Sequence, residues 1–154
     1  MQKQIRPSWE EYFLKLADVV KTRSNCFRNQ MGAIIVKDQR IIATGYNGTP
    51  RKIKNCNEGG CLRCAQRESG KLKRFEHEER CICIHAEQNA IIQAAYHGNS
   101  TENSTMYLTV TPCLACAKML INAGIKKVIC GNEHHDLEGI KLLKKAGIEV
   151  KITI

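Results

Sequence analysis

The sequence predicts an α/β fold in which helices pack on a central five-stranded mixed sheet. Two observations carry this prediction. From the second β-rich run onward, β-rich and helical segments alternate along the chain, so helical crossovers join the last three strands, which are therefore expected to be parallel. The first two β-rich runs are separated only by Asp38 and Gln39, a spacing that predicts an antiparallel hairpin.

The individual elements follow from capping residues and hydrophobic periodicity. Ser8 can cap an opening helix over residues 8–22, and Glu10 and Glu11 suit the positive first turn of that helix. The remaining predicted elements are strands over 32–37 and 40–45, a helix over 85–96, a strand over 105–109, a helix over 113–123, a strand over 127–130, a helix over 137–146 and a strand over 148–154.

The length of 154 residues indicates a single domain over residues 1–154, and a cysteine-rich insertion at about 46–83 interrupts the predicted elements. This insertion is rich in glycine and charge and has no sustained periodicity, so it lacks the pattern of a hydrophobic core. A structureless segment of this length is unusual in a compact domain, but bound metal would give it order.

The composition, with 43% hydrophobic and 25% charged residues, is that of a globular protein, and the first seven residues contain no apolar stretch typical of a signal peptide. No apolar run approaches the roughly 20 residues of a membrane span, so we expect no membrane association and a cytoplasmic location. A net charge of +9 favours an anionic partner, either nucleic acid or a phosphorylated small molecule, although a solvated basic surface explains it equally well.

Four residues in two motifs indicate a catalytic metal site. His85 and Glu87 open one predicted helix, while Cys113 and Cys116, preceded by Pro112, open the next long one. One imidazole and two thiols at two helix N-termini can hold a zinc ion and leave its fourth position open, as catalytic zinc sites do. Helix N-termini also favour thiolates, so both cysteines are expected to ionise readily.

Glu87 lies two residues from the histidine donor, close to the metal without binding it, and is therefore predicted to move protons. Taken singly, the C-x-x-C motif could be a closed structural zinc site or a redox pair. The order H-x-E followed by P-C-x-x-C is typical of the zinc-dependent nucleobase deaminases.

Other segments make a more specific resemblance. They are residues 31–36 (MGAIIV), 44–50 (TGYNGTP), 55–61 (NCNEGGC), 85–91 (HAEQNAI), 111–118 (TPCLACAK) and 123–128 (AGIKKV). With these segments the chain resembles the deoxycytidylate (dCMP) deaminases of the bacterial competence-operon type, within the cytidine and deoxycytidylate deaminase superfamily.

The resemblance implies a three-layer α/β/α fold and a zinc hydrolase that acts on a cyclic amidine C–N bond, converting dCMP to dUMP and ammonia for thymidylate synthesis. It also implies a homo-oligomer, commonly a hexamer, with allosteric activation by dCTP and Mg²⁺ and inhibition by dTTP.

By the same resemblance, Asn47 contacts the sugar of the substrate and Arg28 its phosphate. Asn47 could instead serve only the geometry of the turn before Gly48, and Arg28 could be a solvated surface residue. Arg23, Arg51 and Lys52 are further basic residues expected near the pocket.

Nine cysteines in a chain without secretion signals suggest metal binding beyond the catalytic site. In some relatives a structural zinc has ligands at positions matching Cys26, Cys56 and Cys83, with His77 as a possible fourth. A rival set comprises Cys61, Cys64, Cys81 and Cys83, and the sequence leaves both sets open, as well as ordinary thiols. Cys130 is predicted to lie in the core.

His134 and His135 follow the predicted strand over 127–130 and are expected in a solvated loop, with oligomer or phosphate contacts as alternatives.

Two further functions stay open at this point. The same core could deaminate another nucleoside, nucleotide or tRNA base, and a zinc-stabilised nucleic-acid-binding module would also suit the basic charge. A nucleic-acid groove would need stacking aromatic residues, which make up only 5% of this chain, and a binding module would not need Glu87.

Overall fold

The computed structural model describes residues 6–134 and 136–153. Its elements are α1 (Trp9–Lys21), β1 (Gly32–Lys37), β2 (Arg40–Tyr46), α2 (Leu62–Glu68), α3 (Ala86–Tyr96), β3 (Thr105–Leu108), α4 (Leu114–Asn122), β4 (Lys127–Cys130), α5 (Glu138–Lys145) and β5 (Glu149–Ile152). Every predicted helix and strand is present, with ends within a few residues of those predicted. The last strand ends at Ile152, and residue 154 lies outside the described residues. Helix α2, inside the insertion, was not predicted.

The five strands form one mixed sheet in the order β2-β1-β3-β4-β5. Strand β1 is antiparallel to both β2 and β3, whereas β3, β4 and β5 are parallel. Both hairpin residues, Asp38 and Gln39, have positive φ angles (50° and 59°), as a type I′ turn requires, so the hairpin forms without glycine. The predicted mixed α/β sheet is therefore confirmed.

Successive residues of β1 point to opposite faces of the sheet, and each face is covered by helix. Ile34 and Val36 pack with Phe13 and Ala17 of α1. Ala33 and Ile35 belong to the opposite cluster, which draws buried side chains from α3, α4 and α5. The first five residues of β1, GAIIV, are apolar because both faces of the strand are buried there. The layers are α/β/α, as the resemblance implied.

The segment between β2 and α3 has a different interior. Its buried cluster consists of Cys56, Cys61 and Cys64, packed against Cys26, Cys81 and Cys83. Four large apolar side chains of this segment are exposed, with exposed fractions of 48% for Ile53, 72% for Leu62, 51% for Phe75 and 44% for Ile82. Sulfur atoms, rather than aliphatic groups, therefore form the centre of the segment.

Among the described residues, we find no helix both long and apolar enough to cross a membrane.

Candidate metal centre and its pocket

Three potential metal-donor atoms lie close together at the N-termini of two helices. His85 is the N-cap of α3, Cys113 is the N-cap of α4, and Cys116 lies in the first turn of α4. The Nδ1 atom of His85 lies 3.6 Å from the Sγ of Cys113 and 3.4 Å from the Sγ of Cys116. In tetrahedral zinc sites, Zn–N bonds of about 2.05 Å and Zn–S bonds of about 2.3 Å place N and S about 3.5 Å apart. The donor set and its spacing therefore fit zinc.

Two close backbone approaches hold these helix ends in place. A Cβ atom on Gly45 of β2 would lie 2.2 Å from the carbonyl oxygen of Ala86 and 2.4 Å from the amide nitrogen of Ala90. A Cβ atom on Gly139 would lie 2.2 Å from the carbonyl oxygen of Pro112. Only glycine lets β2 touch the start of α3, and lets α5 touch the turn before α4, as closely as these backbones do. Each half of the donor set thus rests on a glycine contact.

Glu87 lies beside the three donors and is only 8% exposed. Burial raises the pKa of its carboxyl group above the ordinary value, and this effect outweighs the hydrogen bond from its own backbone and the charge of His85, both of which lower the pKa. A carboxyl group with a raised pKa holds a proton more readily than an exposed carboxyl group and can pass it on. The position and environment of Glu87 therefore suit a proton carrier.

The two thiols of the site differ in acidity. A hydrogen bond with Cys116, followed by one with His85, lowers the pKa of Cys113 to about 3. The same contact with Cys113, together with burial, raises the pKa of Cys116. The hydrogen bond with Cys113 raises the pKa of His85 to about 9. The thiol of Cys116 thus stabilises the thiolate of Cys113, and the ionisation of both cysteines at a bound metal stays a prediction.

A cavity of about 230 Å³ opens in front of these residues. His85, Glu87 and Cys113 line one part of it, and Asn47 and Arg28 line another. The cavity therefore joins the metal donors to both residues predicted to contact the substrate.

Of the four basic residues expected near the pocket, Arg28 alone is among the described lining residues. The guanidinium group of Arg51 lies instead over the ring of Tyr96, 5.0 Å from its centroid. His134 lines the cavity, which makes the solvated-loop interpretation incomplete, and His135 lies outside the described residues.

Two arginines that the sequence did not single out also line the cavity, Arg63 and Arg74. Arg63 is buried, its Nε donates a hydrogen bond to the carbonyl oxygen of Glu76, and its Nη2 lies 3.8 Å from the Oε1 of Glu78. Both arginines lie in the segment without periodicity, where no sequence pattern shows which side chains turn inward.

The side chain of Asn47 makes two hydrogen bonds to the loop before β1, a role that neither interpretation of the sequence included. Its Nδ2 donates to the carbonyl oxygen of Asn29 over 2.7 Å, and its Oδ1 accepts from the amide of Met31 over 2.8 Å. These bonds fix the loop that carries Arg28 against the end of β2.

Six cysteines form two overlapping groups of four whose sulfur atoms all lie within 4.8 Å of one another in each group. One group is Cys26, Cys56, Cys64 and Cys83, and the other is Cys61, Cys64, Cys81 and Cys83. In the first, Cys64 takes the place suggested for His77. Among the described residues His77 belongs to no donor group, and its Nδ1 lies 3.4 Å from the Oε1 of Glu79. Cys130 is buried in the core as expected.

A mixed α/β/α sheet with a His/Cys/Cys donor set beside a buried glutamate defines a zinc-binding deaminase domain. The profile of the cytidine and deoxycytidylate deaminase zinc-binding region matches residues 7–132. The chain belongs to this family.

Relatives of known name support a narrower placement. The chain is 43% identical over 148 residues to the deoxycytidylate deaminase of Saccharomyces cerevisiae, an alignment that covers 96% of this chain and 45% of the yeast protein. It is 35% identical over 148 residues to ComE operon protein 2 of Bacillus subtilis, covering 95% of this chain and 71% of that protein. The chain thus spans about half the length of its yeast relative.

A solved structure also matches throughout. The dCMP deaminase of the cyanophage S-TIM5, crystallised with dCMP and dUMP, superposes with a TM-score of 0.78 at 34% identity. This match covers 97% of the present chain and 100% of the phage chain.

Proposed function

We propose that this chain is a deoxycytidylate deaminase that hydrolyses dCMP to dUMP and ammonia, and that its product supplies thymidylate synthesis. The observation that carries the proposal is one cavity lined both by the His85 and Cys113 donors with Glu87 and by the cationic side chains of Arg28 and Arg63. The relatives named deoxycytidylate deaminase and the phage enzyme with dCMP and dUMP support the choice of substrate.

His85, Cys113 and Cys116 would hold the catalytic zinc, which when bound activates water for attack near neutral pH. Glu87 accepts a proton from the attacking water and delivers it to the pyrimidine ring nitrogen. A second proton passes through Glu87 to the exocyclic amino group, which leaves as ammonia while the ring carbon keeps the oxygen. The buried position of Glu87 keeps this proton path away from bulk solvent.

The opposite part of the cavity would bind the sugar and phosphate. Arg28 is half-buried and lies two residues beyond Cys26, on the loop that Asn47 braces, so its guanidinium group can approach a phosphate with little loss of freedom. Asn47 would contact the sugar with the remaining hydrogen of its Nδ2 group. Its two bonds to the loop explain how one residue could serve both substrate and framework.

Further parts of the proposal rest on the family resemblance. They are a single deaminase domain with an insertion, a homo-oligomer (a hexamer), allosteric control by dCTP with Mg²⁺ and by dTTP, and at least one structural zinc in the insertion. The many free thiols suit a reducing compartment, which supports a cytoplasmic location.

The test replaces Glu87 with alanine. Glu87→Ala should lower kcat for dCMP by about 10²–10⁴-fold or more, the usual contribution of a general acid-base group. Zinc content and the urea midpoint should stay close to those of the wild type, because Glu87 is not a donor. Glu102→Ala, which removes an exposed carboxylate from a loop, is the matched control and should keep full activity. Turnover by Glu87→Ala within tenfold of the wild type would contradict the assigned role.

A further inference from the structure

We propose that the six cysteines of the insertion and its neighbouring loop bind two zinc ions in one binuclear cluster, in which Cys64 and Cys83 bridge both ions. The two groups of four sulfur atoms described above share these two residues. Cys26 and Cys56 would complete the ligands of one ion, and Cys61 and Cys81 those of the other. The two ligand sets that the sequence offers as rivals thus become two halves of one cluster, with Cys64 in place of His77.

The sulfur spacing in the group of Cys61, Cys64, Cys81 and Cys83 fits a zinc tetrahedron, and the sulfur atoms of the other group lie within 4.8 Å of one another. Zn–S bonds of about 2.3 Å place neighbouring sulfur atoms of a tetrahedron about 3.8 Å apart. The Sγ of Cys81 lies 3.9 Å from that of Cys61 and 3.8 Å from that of Cys64, and the shared pair, Cys64 and Cys83, is 4.0 Å apart. Disulfide bonds would need about 2.05 Å, and all nine cysteines of the chain are free.

The number of thiols also favours sharing. Two separate four-cysteine sites would need eight ligands, but the group has only six. One ion with four ligands, on the other hand, would leave two of the six cysteines without metal. Cys56, Cys61 and Cys64 are at most 1% exposed, so an ion in one half alone would leave at least one buried thiol idle. Two Zn²⁺ ions that displace six thiol protons give a cluster of net charge −2, and the basic chain around it can accommodate that charge.

The cluster explains how the insertion folds. Its apolar side chains at Ile53, Leu62 and Phe75 are exposed, and its interior is sulfur. Thiols alone bury little apolar surface, whereas metal–thiolate bonds supply folding free energy directly. Two ions joined through Cys64 and Cys83 would connect the turn at Cys56, the first turn of α2 and the stretch before His85.

The cluster also forms part of the wall of the catalytic cavity. Cys26, Cys64, Cys81 and Cys83 line the same cavity as His85. Cys26 precedes Arg28 by two residues and Cys83 precedes His85 by two, so the cluster would fix both the phosphate side and the metal side of the pocket.

Metal counting on the holoprotein tests the proposal. Native mass spectrometry of the wild-type chain should find three zinc ions per chain, one in the catalytic donor group and two in the cluster. The double variant Cys113→Ala/Cys116→Ala removes the catalytic donors and should retain two zinc ions, so a failure of the proposed catalytic site is separated from a failure of the cluster. A double variant that retains one zinc ion would overturn the proposal.

Two single replacements on that double-variant background separate the halves. Cys56→Ser and Cys61→Ser should each lower the zinc content by one ion or more. A one-ion site would instead leave the content unchanged in one of the two variants, which would refute the shared cluster.

X-ray absorption at the zinc edge of the same double variant requires no further mutation. It should show a sulfur-only first shell and a metal–metal path at about 2.7 Å, the separation of two edge-sharing tetrahedra with zinc–sulfur bonds of about 2.3 Å. Absence of that path, or the presence of iron with acid-labile sulfide, would overturn the proposal.

Discussion

The contact between Gly45 and the start of α3 positions half of the proposed catalytic site, so adding a single methyl group there should disturb catalysis. In Gly45→Ala the new Cβ would lie 2.2 Å from the carbonyl oxygen of Ala86, whereas ordinary van der Waals contact begins at 3.4 Å. Because both partners are backbone, α3 must move away from β2 by about 1 Å, the difference between these two distances.

This movement would displace Glu87 and His85 relative to Cys113 and Cys116, which are held by α4. Overpacking of this kind costs about 1–3 kcal/mol of the free energy of unfolding. A misplacement of about 1 Å at a catalytic group can cost about 10²-fold in rate. We therefore expect kcat for dCMP to fall by about 10²-fold. The urea midpoint should shift downward by the equivalent of about 1–3 kcal/mol.

The assay measures the absorbance change of dCMP deamination and urea unfolding on the same preparations. Gly48→Ala is the matched control, because it lies three residues along the chain, has no atom within 4 Å of the added Cβ and has no positive φ angle. Gly48→Ala should resemble the wild type. Wild-type kcat and stability in Gly45→Ala would refute the argument that this glycine positions α3.

Two further replacements test the phosphate side of the pocket and the helix on the opposite face of the sheet. Arg28→Gln should raise KM for dCMP by about tenfold or more, as expected for loss of a charge-assisted phosphate contact. The slower turnover of deoxycytidine should be unchanged. Steady-state kinetics on both substrates measure these two effects. Glu10→Gln should lower stability at pH 7 by up to about 1 kcal/mol, because the carboxylate of Glu10 pairs with Lys151 and with Lys127 across β4 and β5. The hydrogen bond from Lys151 lowers the pKa of Glu10, so this stabilisation is present above the ordinary carboxyl pKa and is lost as the pH falls through the lowered pKa. Urea titrations at pH 7 and at successively lower pH should therefore show a difference that is largest at pH 7 and shrinks on acidification.

The elements that a local pattern specifies could be predicted from the sequence. The N-cap predicted at Ser8 is present, and the alternation of helix and strand correctly predicted the parallel half of the sheet. The two donor motifs each begin a helix, and the structure brings their donor atoms within 4.8 Å of one another. Both motifs combine residue types and spacing that few other structures require.

Features that depend on the packing of distant segments could not be predicted in the same way. The six cysteines come from a loop before β1, a turn, α2 and the stretch before α3, so their pairing depends on the path of an insertion without periodicity. The inward turn of Arg63 and the close approach of Gly139 to Pro112 likewise depend on three-dimensional neighbours. The resemblance therefore offered His77 as a possible fourth ligand where the structure places Cys64.

The most direct test of the proposed function compares substrates. The purified, zinc-loaded chain should be assayed by absorbance with dCMP, CMP, deoxycytidine and a tRNA anticodon stem under identical conditions. If the cavity that joins Glu87 to Arg28 binds a deoxynucleoside monophosphate, kcat/KM for dCMP should exceed that for each of the others. A higher kcat/KM for CMP, deoxycytidine or the tRNA stem would contradict the assignment of this chain as a deoxycytidylate deaminase.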